Sequence, residues 1–106
     1  MDAGLYLEVA SLFRFRYDPT VLAALESRPS RFREIARTLQ AEADPGITDT
    51  AVTRSLARLQ RAGQIRAVRF AMGSREASAY ELTEAGARTL ELYRALLETY
   101  RAHRPA

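Results

Sequence analysis

Residues 29–65, PSRFREIARTLQAEADPGITDTAVTRSLARLQRAGQI, decide how this chain folds. Ser30 is placed to cap a short helix. On that helix Phe32, Ile35, Ala36 and Leu39 fall on one face, and Arg31, Arg33, Glu34, Arg37 and Thr38 on the other. The run Ala41-Glu42-Ala43-Asp44-Pro45-Gly46 ends it, because proline and glycine together are a strong turn signal. Thr48 caps a second helix, with Asp49 in its first turn, where the positive end of the helix favours a carboxylate. Val52, Leu56 and Leu59 form its buried stripe, and Gly63 supplies a natural stop. Thr50, Thr53, Arg54, Ala57, Arg58 and Arg61 are left facing outward.

Downstream, the helical period gives way to alternation. Ile65 to Ala71 predicts a strand with Ile65 and Ala67 inward and Val68 as a further candidate. Met72-Gly73-Ser74-Arg75-Glu76-Ala77-Ser78 reads as a turn of small and polar residues, and Ala79 to Leu82 as the returning strand. Thr83 then caps a final helix of about 20 residues, roughly 30 Å long. Upstream, Asp18-Pro19 reads as an N-cap followed by proline at the first helical position, in a helix that ends near Ser27-Arg28. Leu5, Val9, Leu12 and Phe13 recur at helical spacing and predict a helix over 3–14. Phe32, Ile35, Leu39, Val52, Leu56, Leu59, Ile65 and Leu82 are the expected core, with Tyr80 packed under the hairpin. Two short helices around a turn, followed by a two-stranded hairpin, describe a winged helix–turn–helix of mainly α (α+β) class. The expectation is one domain over 1–106: the helix–turn–helix at 30–63, the wing at 65–83, and outer helices at 3–14 and 84–103.

Composition fits that size and narrows the chemistry. The 106 residues are 47% hydrophobic, enough for one small core. Cysteine is absent, which removes disulfides, thiolate metal sites and Cys nucleophiles, and the single histidine, His103, cannot build a metal site alone. With no Ser/His/Asp set and no phosphate-binding glycine loop, neither an enzyme nor a bound cofactor is expected. No apolar run approaches the roughly 20 residues needed to span a bilayer, and the N-terminus lacks the basic start of a signal peptide, so a soluble, cytoplasmic protein is expected. The net charge of +3 is unevenly spread. Residues 1–27 carry two Arg against four acids, residues 28–75 ten Arg against four acids, and residues 76–106 four Arg against five Glu. All 16 basic residues are Arg, whose planar forks pair bidentately with phosphates and guanine edges.

Over residues 19–90 the chain resembles HxlR-type winged helix regulators, a branch near the MarR-like proteins. Three motifs carry the resemblance: Pro29-Ser30-Arg31-Phe32-Arg33-Glu34-Ile35 at the entry to the helix–turn–helix; Ile47-Thr48, Val52-Thr53, Leu56, Leu59 and Gly63-Gln64-Ile65 in the register of the recognition helix; and Tyr80-Glu81-Leu82-Thr83-Glu84-Ala85-Gly86 where the wing closes and the last helix opens. The chain departs from the pattern in the longer loop at 40–46, in Ala67 where an Arg commonly opens the wing, and in lacking the N-terminal cysteine of redox-sensing members. The resemblance implies a bacterial, homodimeric transcription regulator that binds double-stranded DNA at a palindromic operator. It leaves room for an unidentified small-molecule effector.

In that fold the helix after the turn enters the major groove N-terminus first, and the wing reaches the flanking backbone or minor groove. The DNA-binding candidates are therefore Ser30, Arg31, Arg33, Thr48, Asp49, Thr50, Thr53, Arg54, Arg58, Arg69 and Arg75. Arg54 suits either a guanine edge or a phosphate. Thr50 and Thr53 suit a thymine methyl or phosphate, or are plain helix-surface residues. Asp49 accepts from a cytosine amine, or else stabilises the helix start and orients a neighbouring Arg. Arg75 enters a minor groove or is a solvated loop charge. The last helix carries two apolar stripes, Leu90, Tyr93, Leu97 and Tyr100 beside Thr89, Leu92 and Leu96, with Arg94/Glu98 and Glu84/Arg88 on the solvated side. One stripe covers the domain and the other needs a partner, so a dimer interface is expected from Leu5, Val9, Leu12, Leu92, Tyr93, Leu96 and Tyr100. The rival functions are a winged-helix protein-interaction adaptor and a non-specific DNA-coating protein.

Overall fold

The computed structural model describes residues 1–105. Its elements run α1 (Ala3–Leu12), α2 (Asp18–Ala24), α3 (Phe32–Glu42), α4 (Asp49–Arg61), β1 (Ile65–Met72), β2 (Arg75–Leu82) and α5 (Glu84–His103). The core forms where the apolar stripes of the two central helices meet. Ile35, Ala36 and Leu39 of α3 and Val52, Leu56 and Leu59 of α4 close on Val21, Leu22 and Leu25, with Ile47, Ile65 and Leu90 completing the cluster. Phe32 and Leu82, expected inside, are half-buried and pack against it.

The segment between α3 and α4 is longer than a tight turn, yet every residue of it is placed. Helix α3 runs on to Glu42. Asp44-Pro45-Gly46-Ile47 then makes a β-turn, closed by Ile47 N–H donating to the Asp44 carbonyl at 3.1 Å, with proline at the position its fixed φ suits. The Asp44 carboxylate accepts from Gly46 N–H at 2.9 Å and from the Tyr17 hydroxyl at 2.5 Å, so the entry to α2 ties down the turn. That bond holds the Asp44 carboxyl below its ordinary range and raises the Tyr17 phenol. Helix α4 ends in a Schellman motif. Gly63 sits at φ 72° with its N–H on Gln60 O at 3.0 Å, and Gln64 N–H reaches Leu59 O at 2.9 Å.

The wing differs from its sequence expectation. The seven-residue turn shrinks to Gly73-Ser74, and both strands lengthen to eight residues in the register Ile65↔Leu82 to Met72↔Arg75. Gly73 has φ 66° and, among the described residues, no non-glycine residue has positive φ, the pattern of a II′ hairpin turn that starts on glycine. Ala67 is exposed rather than inward, although its partner Tyr80 is half-buried; on the other face Val68 is half-buried and its partner Ala79 only 3% exposed. Ser30 does not cap α3. It is 6% exposed and pairs through its backbone with Tyr80, at 3.0 and 2.8 Å, as a one-residue third strand. The helix start is satisfied instead by the Glu34 carboxylate, which accepts from Arg31 N–H at 3.0 Å.

Helix α5 has the expected length, and Thr83 caps it by accepting from Gly86 N–H at 3.1 Å. Glu84 and Arg88 pair as expected at 3.1 Å. Arg94 instead reaches back to Glu26, and Glu98 pairs with Arg101 at 2.8 Å. The first half of α5 is the better covered: Leu90 is buried and Tyr93 half-buried, whereas further on Leu96 is half-buried and Leu97 and Tyr100 stand exposed. Helix α1 is shorter than the expected 3–14 and contains no buried residue.

Candidate nucleic-acid interface

Three segments converge on one side of the fold: the start of α3, the start of α4 and the wing tip. Arg33, in the first turn of α3, donates from Nη1 and Nη2 to the two carboxylate oxygens of Asp49, in the first turn of α4, at 3.1 and 2.9 Å. Its guanidinium also lies 5.4 Å from the centroid of the Phe32 ring. Of the two roles open for Asp49, orienting a neighbouring Arg is the one the geometry displays. The Arg33 hydrogen bonds hold the Asp49 carboxyl below its ordinary range and raise Arg33 in return. Arg31 places Nη1 3.5 Å from the Met72 sulfur, which brings α3 against the wing tip. Glu34 gathers the Arg31 N–H and the Arg28 guanidinium at 2.8 Å, and these hold its carboxyl low.

On α4, Thr48 spends its hydroxyl oxygen as the cap, accepting from Ala51 N–H at 3.1 Å. Thr50, Thr53 and Arg54 are exposed. On the wing, Arg66 pairs with Glu81 at 2.7 Å and Arg69 with Glu76 at 3.3 Å, while Arg75 is exposed beside the turn. Among the described residues, four of the ten Arg in 28–75 carry no ion pair: Arg37, Arg54, Arg61 and Arg75. The exposed pairs hold their cations loosely, since such pairs are worth only ~0–1 kcal/mol and a phosphate can take the carboxylate's place.

Two expected site residues lie elsewhere. Ser30 is buried in its bridge to Tyr80. Arg58, expected to face outward, is turned onto the Asp18 carboxylate, donating from Nη2 at 2.9 Å and Nε at 3.3 Å. Phe15 covers its other side, with the guanidinium carbon 4.0 Å from the ring centroid. Asp18 is therefore no N-cap. It is the first residue of α2, 7% exposed, and it also accepts from the fully buried Ser55 hydroxyl at 2.5 Å. One sequence signal pointed there: Ser55 sits on the Val52/Leu56/Leu59 stripe, and a hydroxyl on a buried stripe needs a partner. Among the described residues no buried side-chain polar atom lacks one.

The expected interface residues divide in the same way. Leu5, Val9, Leu92 and Tyr100 are exposed, and Leu12 and Leu96 half-buried. Tyr93 is used within the chain: its hydroxyl donates to Leu12 O at 2.7 Å and its ring lies 5.3 Å from that of Phe13. Burial raises its phenol. Leu7, Phe13 and Leu97, within the segments 3–14 and 84–103 but not among the named interface residues, add to the exposed apolar surface of α1, its exit and α5.

A helix–turn–helix with a hairpin folded against its first helix defines the winged-helix fold. The transcriptional regulator YodB from B. subtilis, in its reduced form, matches with a TM-score of 0.78 at 19% identity, over 97% of this chain and 95% of that one. A putative MarR-family transcriptional regulator from Enterococcus faecalis matches at 0.77 and 19%, over 96% and 88%. A PadR-family transcription regulator from Clostridium difficile matches at 0.72 and 19%, over 81% and 92%. These likenesses carry the fold. No family model and no curated protein matches the sequence. Among the described residues no helix is long and apolar enough to cross a membrane.

Proposed function

We propose that this chain binds double-stranded DNA sequence-specifically as a homodimer and regulates transcription from a palindromic operator. The observation that carries this is the set of cations left available on α3, along α4 and on the wing. Arg37, Arg54, Arg61 and Arg75 have no carboxylate partner among the described residues, and Arg31, Arg33 and Arg69 are held only in exposed pairs. In this reading Thr50, Thr53 and Arg54 meet base edges. Arg33, stacked on Phe32 and forked by Asp49, is pre-set for a phosphate or a base without losing much rotamer freedom. Arg75 and Met72 at the wing tip lie over the adjacent minor groove, and Arg69 meets the flanking backbone. The homodimer rests on the uncovered apolar surface of α1 and of the second half of α5, which would place two α4 helices at half-sites about 34 Å apart.

Selection from a randomised duplex library tests both parts. The expected product is an inverted repeat that competes at least ~10³-fold better than scrambled duplex. Binding with no preference would point to a DNA-coating protein, and no binding at moderate salt to a protein adaptor. Light scattering on the size-exclusion peak should give twice the chain mass; a monomer at micromolar concentration sinks the dimer.

A further inference from the structure

Among the described residues, Asp18, Ser55 and Arg58 form a largely shielded polar network that takes no part in the proposed DNA-facing surface. It also lies where the chain changes direction. Residues 13–17 link α1 to α2 outside any helix, Phe15 in that link covers Arg58, and Asp18 opens α2. All three contacts converge on α4. Ser55 sits on its buried side and Arg58 one turn further on, so the carboxylate grips the helix at two points separated by i, i+3.

We propose that Arg58 is a positioning residue and not a DNA contact: Asp18 and Phe15 hold it so that the recognition helix stays in register with the corner between α1 and α2. This rests on the DNA-binding reading above. The apolar stripe of α4 by itself resists translation along the helix axis poorly, because Val52, Leu56 and Leu59 make non-directional contacts. A forked guanidinium–carboxylate pair has directional geometry, and this one is largely shielded, with side chains 23% and 9% exposed. Solvent competes for it far less than for the exposed pairs Arg33–Asp49 or Arg69–Glu76. The α4 N-terminus is fixed by its cap, by that exposed pair to α3 and by the apolar contacts of Ile47 and Val52, so directional contacts near it are few. Its roll and axial position at Thr50 and Arg54, which precede Ser55 and Arg58 on the same helix, are therefore sensitive to where Asp18 sits.

A phosphate contact and a positioning strut make opposite marks on salt dependence. The experiment measures affinity of wild-type chain, Arg58→Ala, Arg58→Lys and Asp18→Asn for the duplex enriched by the wild type and for a scrambled duplex, across a salt series. Circular dichroism melting confirms that each variant is folded at the assay temperature. For Arg58→Ala we expect about tenfold weaker binding to the enriched duplex. Affinity for the scrambled duplex and the slope of log K against log salt stay unchanged. Arg58→Lys, which keeps the charge but loses the fork, should fall between the two. Asp18→Asn keeps an acceptor for Ser55 and leaves Arg58 unpaired; it should lose specificity with no loss of slope. A slope shallower by about one unit in Arg58→Ala would make Arg58 a phosphate contact and overturn the proposal. Undiminished specificity in Asp18→Asn also overturns it. If the wild-type chain enriches no duplex, the DNA-binding reading itself fails, an outcome plainly separate from the other two.

Discussion

Gly86→Ala should destabilise this protein, against the ordinary sign of a glycine-to-alanine change inside a helix. Alanine in an unobstructed helix interior gains about 1 kcal/mol over glycine. Here α5 begins by crossing directly over the root of the wing, and a Cβ at position 86 would stand 1.9 Å from the Gln64 carbonyl oxygen and 2.9 Å from its carbon. Those atoms are backbone, and the same carbonyl accepts from Thr83 N–H at 3.1 Å. Opening the contact from 1.9 Å to even 3.0 Å moves α5 and the α4–β1 joint apart by more than an ångström. Such overpacking costs ~1–3 kcal/mol or more, which outweighs the propensity gain at all but the low end of that range. For a domain of this size 1 kcal/mol corresponds to ~4–8 °C in melting temperature, so a drop of roughly 5–15 °C is expected. Melting followed by circular dichroism at one fixed protein concentration reads it, since self-association would make the midpoint concentration-dependent. Gly4→Ala in α1 is the control: its Cβ meets nothing within 4 Å, and the change should be neutral or stabilising. A rise in melting temperature for Gly86→Ala, equal to that of the control, would refute the close approach.

Leu5→Glu and Leu97→Glu change side chains that are 56% and 46% exposed, so each should leave the helical signal intact while halving the mass seen by light scattering. Dimers persisting in both variants would move the interface elsewhere. Arg54→Ala should relax preference at one operator position by ~1–3 kcal/mol, whereas Arg37→Ala should weaken all duplexes alike and make the salt slope shallower by about one unit. Because the Asp49 carboxyl is held below its ordinary range, the Arg33–Asp49 pair contributes fully above about pH 4 and is lost as pH falls through the depressed value. The effect of Asp49→Asn on duplex affinity should therefore be the same at about pH 6 and about pH 8. A change across that window would mean that another group governs Arg33.

The central helices were legible because periodicity and caps agreed there. The stripes Ile35/Ala36/Leu39 and Val52/Leu56/Leu59, Thr48 before α4 and Gly63 after it each admit one local solution, and the chain adopts it. The wing was legible as a hairpin but not in its extent. Its outer half rises clear of the core, so no buried face imposes alternation on Arg69, Phe70 and Ala71, and only Gly73-Ser74 marked the turn. Asp18 misled for a different reason. An aspartate before proline satisfies a helix start on local grounds, and nothing within ten residues reveals that Ser55 and Arg58 are waiting for it. Arg58 failed with it, since its place on the outward face held only until the α1–α2 corner covered that part of α4. Arg94 likewise preferred distant Glu26 to Glu98, one turn ahead on its own helix.

The shape of the single chain argues for the pair more strongly than any one exposed residue. A compact domain of about 100 residues has a radius of gyration near 13 Å. This one measures 15.4 Å with a longest dimension of 58 Å. Three parts leave the core in which the other elements meet: α1, the far half of α5 and the outer half of the wing. Helix α1 has ten residues, Glu8 as its only charge and no buried side chain. An isolated helix shorter than ~12–15 residues is marginal in water even with favourable composition, so packing is what stabilises it. Its own domain supplies little beyond the Phe13–Tyr93 contact and the bond from Tyr93 to Leu12. In the proposed dimer the missing contacts come from a second copy's α1 and α5. Pairing would then fix α1, the link through Phe15 would fix Arg58, and Asp18 would fix α4, so the surface that holds two chains together would also set the angle at which each recognition helix is presented.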